Sequence, residues 1–358
     1  MCKKEESVLL SDIDAEYLRS LRASAELALR GAIGSDTVDV ALLDAPNQVN
    51  VGDSLIWAGE MAYLRRMGLR VRYMADQKSY DPAALRRAMP SGVVLLQGGG
   101  NFGDLWTGHQ NHRERIAQDL PDYRIVQLPQ SVQFQSEERA AQANAILGAH
   151  PDFHLLLRDT QSMARAAKLL PDLKQVFCSD MALGYDPPAG SRAPSDGSLL
   201  IIARQDKEAL SGLYAVGDNW IPGIKTRITD WHRAGWVAVR FNLARRAIKI
   251  HHRLVRYHRR LSFIPTFPQF AVRKLVSSLN YTNISGALGM YSSAGLVVVD
   301  RLHAHVLAIL LGIDHVVLDN SYHKIKAVFD EYTGEFTTAR YATDIEVARG
   351  YVEDLAAS

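Results

Sequence analysis

The chain has 358 residues, 47% hydrophobic and 22% charged, a balance that suits a globular protein of two domains and excludes a disordered or fibrous one. Forty-one Lys and Arg against 39 Asp and Glu leave a formal charge of +2, too near neutral for wholesale nucleic-acid binding. The two cysteines, Cys2 and Cys178, exclude a disulfide framework and favour a reducing compartment. No run resembles a signal peptide. The longest apolar stretch, 304–313, is too short to span a bilayer, so a cytoplasmic location is expected.

From residue 38 the chain alternates strand-like and helix-like segments. Strands are expected at 38–43, 69–74, 93–96, 125–128, 153–157 and 175–177, with helices at 53–67, 136–147 and 160–170 between them. Near-continuous apolar strands separated by helices imply parallel sheets covered on both faces. The segment 187–197, PPAGSRAPSDG, reads as a linker. Beyond it the pattern restarts with strands 199–203, 296–299 and 315–318 and helices 302–311 and 323–332. The expected fold is α/β, with two Rossmann-like doubly wound domains (1–186 and 198–358) facing a cleft. A last helix at 344–355 could pack on either.

Residues 231–299 contain no Asp or Glu but eleven Lys and Arg and four His. Seven of those cations, Arg245, Arg246, Lys249, Arg253, Arg256, Arg259 and Arg260, recur along a helical pattern with Phe241, Ala244, Ile248 and Leu254 as its apolar positions. Such a helix suits either an anionic membrane surface or an ordinary solvated basic face.

The chemistry-bearing residues gather at strand ends. In LLQGGGNFGD (95–104), Gly98, Gly100 and Gly103 match G-x-G-x-x-G, but no acidic residue closes the next strand and DLWTGHQNHRER opens a helix poorly, so a dinucleotide site is not expected. What remains is a glycine-rich turn whose backbone can approach a ligand. Asn50, Gly52 and Asp53 form a second such turn, with Asp53 or Ser54 as the helix cap. In the second half, Arg204, Arg301 and Lys324 each follow a strand, with Asn320 beside the last, and together describe a site for a small, multiply charged anion. His303 beside Arg301 suits proton transfer, whereas His305 fits a structural role. No metal-ligand, Walker or G-x-S-x-G pattern occurs, so no metal or cofactor is expected.

The segments NVGDSLIWAGE, LLQGGGNFGDLW, LPQS, LLLRDTQS, SDMALG, IIARQD, DRLHAHVLAILLGI and VVLDNSYHK lie in this order from Asn50 to Lys324. Together the chain resembles the polysaccharide pyruvyl transferases, most of all the bacterial exopolysaccharide branch. The resemblance implies a GT-B-like fold and transfer of a pyruvyl group from phosphoenolpyruvate, the co-substrate, to two hydroxyls of a sugar, forming a cyclic ketal and releasing phosphate. The family's R-L-H pair maps onto Arg301 and His303, and its strand-end arginine onto Arg204. His323 and Asp314 depart from the family's common Gly and Pro. On this reading His303 is the general acid, Arg204, Arg301, Lys324 and Asn320 hold the donor, and the first-domain loops hold the acceptor through Asn50, Gly52, Asp53, Gly99, Gly100, Asn101, Asp104 and His109. Asp104 or His109 would be the base. The acceptor is expected to be a lipid-linked oligosaccharide, reached by peripheral attachment to the inner membrane face through 245–260. A nucleotide-sugar-dependent glycosyltransferase of similar architecture is the alternative.

Overall fold

The computed structural model describes residues 10–205, 210–319 and 324–357. Two parallel sheets organise them. The first contains β1 (Asp39–Leu43), β2 (Arg70–Ala75), β3 (Val93–Leu96), β4 (Gly99–Gly103), β5 (Arg124–Gln133), β6 (Phe153–Leu157) and β7 (Lys174–Phe177). Its order is β2-β1-β3-β5-β6-β7, with β4 paired to β5. The second contains β8 (Leu199–Ile202), β9 (Thr226–Thr229), β10 (Leu296–Val299), β11 (His315–Leu318) and β12 (Ala339–Ala342), in the order β12-β11-β10-β8-β9. Strand order therefore reverses between β1 and β3 and again between β8 and β10. Open parallel sheets bind ligands at the carboxyl ends of the strands flanking such a reversal.

The apolar runs are strands because nearly every residue is buried on both faces: β3, β8 and β11 are wholly buried. Helices α1 (Asp12–Ile33), α2 (Val51–Arg66), α3 (Pro82–Ala88), α4 (Thr107–Asp119), α5 (Glu137–Gly148) and α6 (Thr160–Leu169) go with the first sheet in sequence. Helices α7 (Gly235–His258), α8 (Gln269–Tyr291), α9 (Leu302–Leu310), α10 (Lys324–Glu331) and α11 (Ile345–Ala357) go with the second.

Two expectations are corrected, and one left open is decided. The segment after Asp104 forms a short 3₁₀ turn and then α4, although its first residues carry no capping side chain. Its hold is instead from packing, with Ile116 and Ala117 in the core beneath the sheet. The glycine-rich segment is not only a turn: Gly99–Gly103 is strand β4, parallel to β5. The last helix, α11, buries Ala348 and Val352 against the second sheet.

The main element that crosses to the other half is α8, with α7 joining it through His252 on Asp76 and Arg259 on the Tyr80 carbonyl. It lies between β9 and β10 in sequence, yet it packs on α2. Asn280 accepts from the Ser54 hydroxyl at 2.7 Å and donates to the Pro46 carbonyl at 3.0 Å, Asn283 donates to Ser54 at 2.9 Å, and the Met74 N–H donates to Gln269. Helix α1 makes the reciprocal link, its Asp14 accepting from the backbone and hydroxyl of Thr337. One apolar cluster accordingly runs through both halves, from Leu42 and Leu95 to Val297 and Val317. Burying both asparagines fully is tolerable only because their amides are hydrogen-bonded across this seam.

Candidate functional site

A cavity of about 460 Å³ opens where the carboxyl ends of the two sheets meet. Most of the residues singled out from the sequence line it: Asn50, Gly52, Asp53, Gly100, Asn101 and His109 from the first half, and Arg204, Arg301, His303 and Lys324 from the second. Asn320 lies outside the described residues.

Helix α2 starts at the cavity wall. Its cap is Asn50, whose side chain accepts from the Gly52 N–H at 3.1 Å, and neither Asp53 nor Ser54 takes that role. Asp53 is thereby free to sit in the first turn at the cavity. Burial raises its pKa, an effect opposed by the charge of His303 and the hydrogen bond from Asn50. Gly52 has a steric reason to be glycine, because a Cβ there would stand 2.6 Å from Nδ1 of His303.

His303 lies in the first turn of α9. Its Nε2 faces the carboxylate of Asp180 at 3.3 Å. Asp180 is fully buried and receives Arg158 at 2.6 Å and the Ala182 N–H at 2.8 Å. Burial by itself would raise the Asp180 pKa. The charges of His303 and Arg158 and those hydrogen bonds override it and hold the carboxyl well below the usual range. The result is a carboxylate that orients an imidazole, with the other ring nitrogen turned towards Gly52.

The cations do converge. Lys324 reaches from the start of α10 to within 3.5 Å of the Gly100 carbonyl, and Arg158 stands beside the same glycine, its Nη2 3.1 Å from where a Cβ would lie. Arg301 is clamped in a two-pronged pair by Asp230, at 2.7 and 2.6 Å. Asp300 is buried behind them, accepting from the Arg204 N–H at 2.8 Å and the Ser211 hydroxyl at 2.6 Å, so it ties the ends of β8 and β10 together.

Arg158, Asp180 and Asp230 were not assigned roles from the sequence. Arg158 follows β6 as Arg204 follows β8, so the same strand-end rule would have found it. Asp180 and Asp230 stand in irregular segments where nothing local points to the cavity. Trp106 and Trp231, which add aromatic surface to the wall, were missed for the same reason.

Two expected acceptor residues are corrected. The Asp104 carboxylate is engaged by the N–H groups of Gln135 and Ser136 at 2.8 Å, which holds it to the end of β5 and away from the cavity. Gly99 is buried in β4 beside Ile56 and does not line the cavity. The other glycines also divide. Gly98 donates to Glu60 at 2.8 Å, and a Cβ on Gly103 would collide with the Gln133 carbonyl at 1.8 Å, so both serve packing. Only Gly100 faces the site. Behind it, Asn101 accepts from Arg113 and from Gln130, both at 3.0 Å, in a buried amide network. His109 bonds through Nδ1 to Asp44 and to Gln77, each at 2.7 Å.

His305 fills the structural role expected of it. It is fully buried between His315 at 2.7 Å and Thr333 at 2.8 Å, and burial lowers the pKa of both histidines. Among the described residues no cluster of three His, Cys, Asp or Glu side chains is arranged to hold a metal ion.

The sequence model of the polysaccharide pyruvyl transferases matches residues 50–322, which contain every lining residue of the cavity except Gln48, Val49 and Lys324. The chain belongs to this family. Its relatives agree: EpsO of Bacillus subtilis, named for pyruvyl transfer, is 28% identical over 290 residues, 80% of this chain and 83% of its own. Pyruvyl transferase 1 of Schizosaccharomyces pombe is 28% identical over 291 residues, 79% of this chain and 66% of its own. Among solved structures, a functionally uncharacterized protein of Klebsiella pneumoniae superposes with a TM-score of 0.53 at 14% identity, covering 93% of this chain and all of that one. That likeness speaks for the α/β fold alone. The protein is thus a pyruvyl transferase acting on polysaccharide, with the segments singled out from its sequence gathered at one cavity.

Proposed function

We propose that this pyruvyl transferase takes its pyruvyl group from phosphoenolpyruvate and closes a cyclic ketal on two hydroxyls of one sugar, releasing phosphate. We read the two halves, joined at 187–197, as Rossmann-like domains in a GT-B-like arrangement. The observation that carries the proposal is the lining of a single cavity by Arg158, Arg204, Arg301 and Lys324 beside a histidine held by a buried carboxylate. Phosphoenolpyruvate carries a carboxylate and a phosphate, and planar guanidinium groups match both.

The chemistry follows from that lining. His303 adds a proton to the methylene carbon, and the adjacent carbon becomes electrophilic. The first sugar hydroxyl bonds to that carbon and gives up its proton. The carbon–oxygen bond to phosphate then breaks, the second hydroxyl takes its place, and its proton accounts for the one phosphate carries away. One hydroxyl proton thus replaces the proton spent on the methyl group, and the other leaves on phosphate. The cations favour this path because negative charge grows on the leaving phosphate. Asp180 fixes the ring of His303, so that the imidazole is held in one orientation at the cavity. Asn50, Asp53, Asn101 and His109 would hold the sugar, with His109, backed by Asp44, as the hydroxyl's base. An acceptor built on a lipid carrier fits the polysaccharide role.

The test is phosphate release from phosphoenolpyruvate with and without a panel of hexosides and lipid-linked oligosaccharides, alongside the mass of the acceptor. Acceptor-dependent release with one ketal per sugar supports the proposal. No release, but saturable binding and turnover of a nucleotide sugar, would replace it with glycosyl transfer.

A further inference from the structure

We propose that α7 lies in the surface of an anionic lipid bilayer, with a preformed apolar stripe pressed between the headgroups. One face of α7 is buried, with Phe241, Ala244 and Ile248 packed against Leu279 of α8 and Val255 continuing the face. A second face is apolar yet open to solvent. Trp236 is 74% exposed, Leu243 56%, Ile250 49% and Tyr257 51%. They recur every seven residues, so they keep one side of the helix with a drift of only about 20° per repeat. At the helical rise of 1.5 Å per residue the stripe is about 31 Å long. Val239 widens it, and Leu261 and Phe263, the latter 80% exposed, continue the apolar surface beyond the helix end.

Along the side of the stripe away from α8 run Arg246, Lys249, Arg253 and Arg256, all exposed. With no acid between 231 and 299, nothing on this segment offsets them. An ordinary solvated helix face would not expose Trp, Leu and Ile in register. A contiguous apolar strip rimmed by charge marks an interaction surface. The charge chooses the partner. A second copy related by a two-fold axis would set the same row of cations against itself, whereas anionic headgroups complement both the row and the stripe. The position is also apt: Asp230 and Trp231 line the cavity, and the chain enters α7 four residues later at Gly235. This docking stands on the helix alone, independently of the donor and ketal chemistry.

The test is flotation of the full chain with phosphatidylcholine vesicles, with and without phosphatidylglycerol, at low salt and at about 0.5 M salt, where a charge-only attachment is screened. The wild type is expected to float with the anionic vesicles and to keep a fraction bound at high salt, with a blue shift of tryptophan emission that Trp236→Ser removes. The combined variant Trp236→Ser, Leu243→Ser, Ile250→Ser should lose the salt-resistant fraction by about tenfold or more. Changing Arg246, Lys249, Arg253 and Arg256 to Gln should abolish the preference for anionic lipid. All seven positions are on the surface, so an unchanged melting temperature confirms that the fold is retained. Failure of the wild type to float with anionic vesicles would overturn the proposal. So would equal binding by the serine variant, or a wild-type dimer that this variant dissolves, which would give the stripe to a second copy.

Discussion

The two sets of strand ends that meet at the cavity are prepared differently. On the first sheet the polar side chains are already bonded to one another: Asn101 to Gln130 and Arg113, and His109 to Asp44 and Gln77. Such a network is stiff, and it presents amides and carboxylates suited to sugar hydroxyls. On the second sheet the wall is cationic, with Arg204, Arg301 and Lys324 on long side chains. One cluster belongs to neither alone. Arg158 and Asp180 come from the first half and His303 from the second, and their contact requires α8 and α1 to hold the halves together. The lesson is that specificity can be built within one sheet, while the reactive group is completed only across the seam.

The largest effect should come from the residue that joins the two. His303→Ala is expected to lower turnover by about 10²–10⁴-fold, the usual worth of a general acid, with little change in melting temperature. Near-normal turnover would mean that the proton comes from elsewhere. Asp180→Asn should cost both activity and stability, since it leaves Arg158 buried without its carboxylate; a loss of about 3–5 kcal/mol in a denaturant titration is the expected scale. The sign of its pH dependence also follows. Folding depresses the Asp180 pKa, so its contribution is complete above the unfolded value of 3.8 and fades as pH falls below it. The variant should therefore show a flatter acid limb than the wild type.

Gly52→Ala sharpens the comparison at one atom. The new methyl group would meet His303 2.6 Å away, on a helix that alanine otherwise favours. Turnover should drop by about 10²-fold, as for a reactive group displaced by about 1 Å, without a lower melting temperature. Glu60→Gln should do least. Burial raises the Glu60 pKa well above 4.5, against which the Gly98 N–H works only in part, so folding favours the neutral carboxyl. That penalty grows as pH rises above 4.5, where the unfolded chain ionises first. The variant should match the wild type near pH 4 and equal or exceed its melting temperature at pH 7.

The parallel strands were plain in the sequence because burial on both faces writes itself as short, continuous apolar runs. Strand β4 was not, since GGNFG has no such run and pairs with β5 through its backbone. Helix α8 was hidden in an acid-free stretch whose function-like charge drew attention from its buried asparagines. At the site, cations at strand ends were legible because that position is dictated by topology. Asp180 and Asp230 were not, because their partners, His303 and Arg301, lie more than seventy positions away. The glycine-rich motif misled in a similar way. Three of its four glycines answer to Glu60 and Ile56 of α2 and to Gln133 of the neighbouring strand, and only Gly100 answers to the cavity.

The most direct measurement of the central claim is turnover of phosphoenolpyruvate and acceptor in deuterium oxide, followed by mass analysis of the ketal methyl group. If His303 delivers a solvent-exchanged proton to the methylene carbon, each new methyl group will carry one deuterium. A ketal formed with no deuterium in its methyl group would contradict the account.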